Sequence, residues 1–329
     1  MTKSKTNLMN TEQQPISYAV VIGGANIDIC GLAQQTLKVG DSNPGSIITS
    51  AGGVGRNIAD NLARLGGRVQ FIGAMGDDKW GEQLQQACVD ANVGTEHCVI
   101  IPKATTSTYL SIHAPQGEMY IALNDMALIE HINPTTLSQR NAVISGASVI
   151  IIDTNLSEQA LEYIFGTYSN IPIMVDPVSS FKAAKLLPYL ERIHTLKPNQ
   201  AEAEVLSDIS IKSDADLPRV AKVLHDRGVK HLLISMGSAG VFISSEQEQK
   251  RLTLLTNKIT NVTGAGDALM AGLAHGYLNA WHWKKSVHFA LAAAHLTLKS
   301  EDTVSKTMSE PVIQQLMNEH SPREITLCK

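Results

Sequence analysis

Short apolar runs closed by Gly, Pro or Asp recur along the chain, and they constrain its fold more than any other feature. They are Tyr18 to Ile22, Val69 to Ile72, Val149 to Ile152, Ile171 to Val175, Ile193 to Leu196 and His231 to Ile234. Runs this short are too brief for buried helices and suit strands covered on both faces. Between several of them lie segments with helical spacing: Asn57 to Leu65, Gly81 to Ala91, Ser157 to Phe165 and Leu217 to Arg227. Strand and helix alternating in this way predict an α/β fold, a central, mainly parallel sheet between helices. Ligands of such sheets sit beyond the carboxyl ends of the strands.

Two stretches leave the pattern. Ile27 to Ile48 alternates apolar residues around Gly31, Gly40 and Gly45, and Thr106 to Leu123 reads as two strands joined at Ala114-Pro115-Gln116-Gly117. Together they predict a small β lid built from residues 27–48 and 106–123, with a pair of irregular surface loops as the alternative. Ala265 to Tyr277 and Lys285 to Lys299 are the most apolar helical segments, and Glu310 to Asn318 reads as a last helix. The expected organisation is a disordered tail over residues 1–17, one domain over 18–320, and a C-terminal tail over 321–329.

The charge and the cysteines exclude several classes of partner. A formal charge of −4 with no run of Lys or Arg offers no footprint for nucleic acid. No apolar run reaches the ~18 residues that span a bilayer, so a cytoplasmic protein without a membrane partner is expected. Cys30, Cys88, Cys98 and Cys328 form no CxxC pair and no disulfide framework. The histidines form no HxxxH pair, so His113, His194 and His295 are expected in packing or surface roles. The first strand runs into Gly23-Gly24-Ala25-Asn26 rather than GxGxxG, and GxxxxGK[ST] is absent. A nicotinamide site is disfavoured, and any ATP site is of the non-Walker kind.

Two segments carry chemistry. Asn261-Val262-Thr263-Gly264-Ala265-Gly266-Asp267 opens directly into the apolar helix. Small residues at a helix start let the chain pack closely and aim free N–H groups at an anion, which the helix dipole favours. Asp267 in the first turn could accept a hydroxyl proton while those amides hold a transferring phosphoryl group. An exposed early-turn acid is the simpler alternative. The second segment, Gly52-Gly53-Val54-Gly55-Arg56-Asn57-Ile58-Ala59, places glycines ahead of a helix and Asn57 in its first turn. Asn57 offers donors and an acceptor for hydroxyls, although a tight turn into a helix needs no ligand.

The two segments resemble the paired signatures of the PfkB/ribokinase family of carbohydrate kinases. The first reads Gly-Gly-x-Gly-x-Asn-x-Ala, then six residues to Gly66 and nine more to Gly76; the second is the cradle with its Asp. The similarity runs from about Tyr18 to Lys299. It implies a ribokinase-like fold and ATP with Mg²⁺ as cofactors. Catalytic roles fall on Asp267 as base and on Gly264, Ala265 and Gly266. Substrate contacts fall on Asp28, Gly53 and Asn57. Asn199, Ser235, Gly237 and Gly240 match nucleotide-binding positions, and Glu202 matches a position that organises Mg²⁺, through water because the ion dehydrates reluctantly. Asn261 stands where many sugar kinases of the family carry Asp, which leaves a monovalent cation requirement open. Lids of the family often form dimer contacts, so a homodimer through the lid is a further expectation.

Within the family, Asp41 to Gly45, Thr106 to Ser111, Asn124 to Met126, Val175 to Ser179 and His194 to Asn199 are similar to the pseudouridine kinases. The resemblance implies phosphorylation of the nucleoside 5'-hydroxyl, with Asn43, Thr106 and Asn124 as further substrate-binding residues. Another sugar or nucleoside kinase of the family and a non-catalytic nucleoside-binding protein are the alternatives.

Overall fold

The computed structural model describes residues 17–254 and 259–325. Nearly all of the predicted N-terminal tail and the last four residues, with Cys328, lie outside the described residues. Nine strands form the main sheet. From one edge they run Glu324–Ile325, Gln249–Leu252, Val241–Ser244, His231–Ser235, Ile193–Leu196, Ile173–Asp176, Val149–Asp153, Ala19–Ile22 and Val69–Ile72. The last six are mutually parallel, and the first three join antiparallel at one edge. Glu324–Ile325, within the stretch expected to be a tail, supplies the edge strand against Arg251 and Leu252.

The alternation of each strand divides the core. Val20, Ile22, Ile150 and Ile152 face one layer with Leu161, Ile164 and Leu224; Ala19, Val21, Val149 and Ile151 face the other with Ile58, Met270 and Phe289. Each fully buried side chain of this size contributes roughly 1.5–3 kcal/mol of transfer free energy. The second layer brings the helices Val54–Arg64 and Ala265–Leu278 side by side on the sheet, with Trp283–Leu298 packed along the latter. Gly272 and Gly276 let that last pair approach so closely that a Cβ at either position would overlap Ala290 or Ser286.

A separate four-stranded sheet is made by Asn26–Ala33, Gly45–Gly52, Thr108–His113 and Met119–Asp125, in the order second, first, third, fourth. The strand Gly45–Gly52 runs further than the alternation predicted, straight into the glycine segment before Val54–Arg64. One row across this sheet is Ser50, Asp28, Tyr109 and Asn124, and these share a face. The opposite face carries Ile29, Ile47, Leu110, Ile112, Ile121 and Leu123, of which Ile47 is 77% and Leu123 65% exposed. A pair of parallel strands, Ala74–Gly76 and Val99–Ile101, lies apart from both sheets. No helix among the described residues is long and apolar enough to cross a membrane.

Candidate active site

The strands deliver charged residues to one end of the parallel sheet. Val149–Asp153 and Ile173–Asp176 end in adjacent, paired aspartates, and Lys197 follows directly on Ile193–Leu196. The fully buried Asp153 accepts hydrogen bonds from Gly24 N and Gly55 N, both at 2.8 Å, and from Asn155 N at 2.8 Å. It therefore pins the turn after the first strand to the first turn of Val54–Arg64, satisfying a helix-start amide that would otherwise lack an acceptor. Burial raises its pKa and Asp176 adds to the rise, while the hydrogen bonds from Gly24 and Asn155 oppose it. Gly53, the N-cap of that helix, has φ 95°, and a Cβ there would overlap Gly24 and Ala25. The close approach and the positive φ both require glycine.

Asp267 lies in the first turn of Ala265–Leu278, 8% exposed. Gly264 caps the helix at φ 83°, where a Cβ would overlap the Thr303 carbonyl. The helix ladder begins with Ala268 N to Gly264 O at 2.9 Å, and no side chain caps the turn. The amides of Ala265, Gly266 and Asp267 thus lie ahead of the ladder and are free to meet an anion. Burial pushes the Asp267 carboxyl up to about 8; Asp176 adds to the rise, while Asn57, Lys197 and Arg56 oppose it. A buried carboxyl poised near neutrality suits a general base.

Asn57 reaches Asp267 from the neighbouring helix, its Nδ2 donating to Oδ2 at 2.8 Å. Arg56, 2% exposed, donates to the carbonyls of Gly52 at 3.0 Å and Ala51 at 2.9 Å, to Asp60 at 2.8 Å, and to Oδ1 of Asn57. Asp28 is part of the same electrostatic unit. Burial raises its pKa, while a 2.6 Å hydrogen bond from Asn26 and the charge of Arg56 oppose that. Its carboxylate lies against Gly52, where any side chain would displace it.

Lys197 is buried and pairs with Asp176 at 3.0 Å. Burial works against its ammonium, but Asp176, Glu202 and Asp267 more than offset this and hold its pKa up. Its Nζ lies 3.2 Å from the position a Cβ would take on Gly266, so the cation sits at the cradle. Asn199 and Glu202 form a reciprocal capping box: Asn199 Oδ1 accepts from Glu202 N at 2.9 Å, and Glu202 accepts from Asn199 N at 2.8 Å and Asn199 Nδ2 at 2.7 Å. Ser235 bridges to Asn199 at the end of the next strand. Gly237 and Gly240 bound the turn between His231–Ser235 and Val241–Ser244. No group of three or more His, Cys, Asp or Glu able to hold a metal occurs among the described residues. Sparse carboxylates beside a phosphate cradle fit Mg²⁺, which keeps several waters and is held largely by substrate phosphates.

Two of the predicted lid residues are engaged locally. Thr106 donates its hydroxyl to Asp78 at 2.5 Å and accepts from Gly76 N at 3.0 Å. Asn43 organises its own exposed loop through Lys38 N at 2.8 Å and the carbonyls of Lys38 and Asp41, each at 3.0 Å. Asn124 shares the face that carries Asp28. Four residues of the site were assigned no role from the sequence: Arg56, Asp176 and Lys197, which lie inside segments quoted above, and Asp153, which lies in none of them. The aspartates could have been found, since two apolar runs each end in Asp at what becomes the ligand-facing edge of the sheet.

A carboxylate beside free helix amides and a buried ammonium, at the carboxyl end of a parallel sheet, is equipment for phosphoryl transfer to an alcohol. The chain belongs to the pfkB family of carbohydrate kinases, whose model matches residues 17–310. It is similar to the pseudouridine kinase of Escherichia coli (strain K12), 42% identical over 89% of this chain and 94% of that one. It is 39% identical to an uncharacterized sugar kinase, YeiI, of the same organism, over 91% of this chain and 82% of that one. Among solved structures, a carbohydrate kinase from Agrobacterium tumefaciens superposes with a TM-score of 0.79 at 28% identity, covering 94% of this chain and 100% of that one. The Arabidopsis thaliana ribokinase complexed with ribose and ATP shares the fold with a TM-score of 0.80 at 20% identity, covering 92% of this chain and 98% of that one. The fold is therefore ribokinase-like, and the protein is a phosphotransferase with an alcohol group as acceptor.

Proposed function

We propose that this enzyme transfers the γ-phosphoryl group of ATP to the 5'-hydroxyl of pseudouridine, with Asp267 as the base. The observation that carries the reading is Asp267 itself: buried, held by Asn57, and set among three unpaired helix amides in a chain 42% identical to a pseudouridine kinase. Asp28 accepts from the ribose hydroxyls, aided by Asn57 and the backbone at Gly53. Asp267 takes the 5'-hydroxyl proton. The amides of Ala265, Gly266 and Asp267, with the Lys197 ammonium, hold the charge of the transferring group. Mg²⁺, when bound, neutralises phosphate charge, and Asn199 with Glu202 would orient its water shell. Ser235, Gly237 and Gly240 border the nucleotide.

The small sheet is the lid. Its Asp28 and Asn124 face meets the nucleoside, with Asn124 addressing the base while Asn43 and Thr106 shape the surrounding loops, and closure excludes water as a competing acceptor. Its opposite apolar face, with Ile47 and Leu123 exposed, is the contact of a homodimer. Leu123→Lys is then expected to sediment as a monomer; a wild-type chain that already does so removes the dimer. The cytoplasm is the proposed compartment, consistent with free Cys30, Cys88 and Cys98.

The experiment is a phosphorylation screen of pseudouridine, uridine, ribose, adenosine and fructose with ATP and Mg²⁺. Pseudouridine should give the highest kcat/KM, because polar groups placed for a base edge go unpaired without it. The 39% relative named as a sugar kinase favours a second reading, a sugar substrate, and ribose turnover equal to or above that of pseudouridine would select it. No phosphate transfer to any of the five would remove pseudouridine as the substrate and point to another alcohol acceptor.

A further inference from the structure

The guanidinium of Arg56 is buried at 2% exposure and has no ligand role of its own assigned above, and its four partners explain why it is there. Two are the last carbonyls of the lid strand Gly45–Gly52. One is Asp60, which also accepts from Arg64 at 2.6 Å and so keeps a cationic partner if Arg56 is removed. The fourth is Oδ1 of Asn57, whose Nδ2 donates to Asp267. An amide side chain has one accepting and one donating end. Were it reversed, its NH₂ would face a guanidinium that can only donate, and its oxygen would face a carboxylate that accepts when ionised. Arg56 therefore fixes which end of Asn57 points at the base.

We infer that Arg56 is a positioning residue for the transfer: through Asn57 it aims a donor at the Asp267 carboxylate, and through Ala51 and Gly52 it fastens that arrangement to the root of the lid. This rests on Asp267 being the base. Lid and base are thereby coupled by one side chain, so a lid held away from its closed position would also loosen the donor on Asp267. The charge of Arg56 acts on Asp267 and Asp28 alike, lowering the pKa of both carboxyls against their burial.

The test uses Arg56→Met and Arg56→Lys in the full chain, with kcat and KM for pseudouridine and ATP measured across pH, and far-UV circular dichroism to confirm folding. Loss of the fork should cut kcat by about 10²-fold in the Met variant, the usual cost of misplacing a reacting group. The KM for ATP should stay near that of the wild type. The acid limb of the rate should move to higher pH in the Met variant, where the cation is gone, and return in the Lys variant. In Lys the rate itself should stay reduced, since one ammonium cannot hold Asn57 and both carbonyls together. Wild-type kcat and limb in a folded Met variant, or full recovery of kcat by Lys, would overturn the inference. If the Met variant does not fold, the Lys variant decides by the same criterion. Asp267→Asn run in parallel separates the two readings: if it retains kcat, the base assignment fails; if it loses kcat while Arg56→Met does not, only the positioning role falls.

Discussion

Asn57 on the helix Val54–Arg64 donates to Oδ2 of Asp267 on the helix Ala265–Leu278 at 2.8 Å, across 210 residues of sequence. The bond joins the two signature segments of the chain into one site. It favours the ionised carboxylate and works against the burial that pushes Asp267 up to about 8.

Asp267→Asn keeps the volume and removes the proton acceptor, so kcat should fall by about 10²–10⁴-fold with binding of both substrates retained. Stability gives a second readout. An ordinary carboxyl titrates near 3.8, and Asp267 near 8, so between those values the unfolded chain releases a proton that the folded chain keeps. Stability is then lost progressively as pH rises from about 4 to 8, and the Asn variant escapes that loss. Its Tm relative to wild type should increase from pH 5 to pH 8. Near-normal kcat in the variant would remove Asp267 as the base.

The rate should follow the same group. In the free enzyme Asp267 is active only when ionised, so kcat/KM should rise with pH through about 8. Asp176→Asn removes a charge that holds the pKa up and leaves Lys197 facing Asp267 without its 3.0 Å partner. Both changes favour the carboxylate, and the limb should move to lower pH. A limb that stays in place or moves upward would show that Asp176 does not act on the base electrostatically.

Legibility divides along the chain. Gly264 to Asp267, Gly53 with Asn57, and Asn199 with Glu202 were readable because each set is contiguous or one helical turn apart, so local geometry alone brings it together. The meeting of Asp153, Asp176 and Lys197 was not, since it happens only when parallel strands align their carboxyl ends. Arg56 sat in plain view between Gly55 and Asn57, but a basic residue in a first turn is ordinarily solvated, and only the packed structure buries it. Thr106 was read only as a polar lid residue, and the bond its hydroxyl donates to Asp78 pairs two positions that no motif links. The sheet order and the edge strand Glu324–Ile325 depend on pairings that no periodicity encodes.

The two cradle glycines should fail in different ways. Gly264→Ala places a Cβ at φ 83° and into the Thr303 carbonyl, costing about 1–3 kcal/mol from the backbone alone. It should lower Tm and raise the KM for ATP together. Gly266 has ordinary helical geometry, and its Cβ would meet only the flexible end of Lys197 at 3.2 Å. Gly266→Ala should leave Tm unchanged or higher, as Ala favours helix, while kcat falls because the ammonium is displaced. Calorimetry and steady-state rates on both variants decide it, and equal Tm losses would remove the distinction.

The last prediction lies away from the site, at His295 in the helix Trp283–Leu298. Its ring is 2% exposed, neither nitrogen has a hydrogen-bond partner among the described residues, and the His320 ring lies 5.4 Å away. Burial, with Lys299 and His320 nearby, pushes its pKa down to about 4. An ordinary histidine titrates near 6.5, so between pH 6.5 and 4 the unfolded chain takes up a proton that the folded chain refuses, and stability falls as pH falls. His295→Leu removes both the unpaired nitrogens and this proton uptake, at nearly matched bulk. Thermal unfolding should show a Tm above wild type at pH 7.5 and a larger gain at pH 5, with kcat unchanged. A gain no larger at pH 5 than at pH 7.5 would show that the ring does not titrate on unfolding. A Tm below wild type at both values would show that the ring contributes packing that leucine cannot replace.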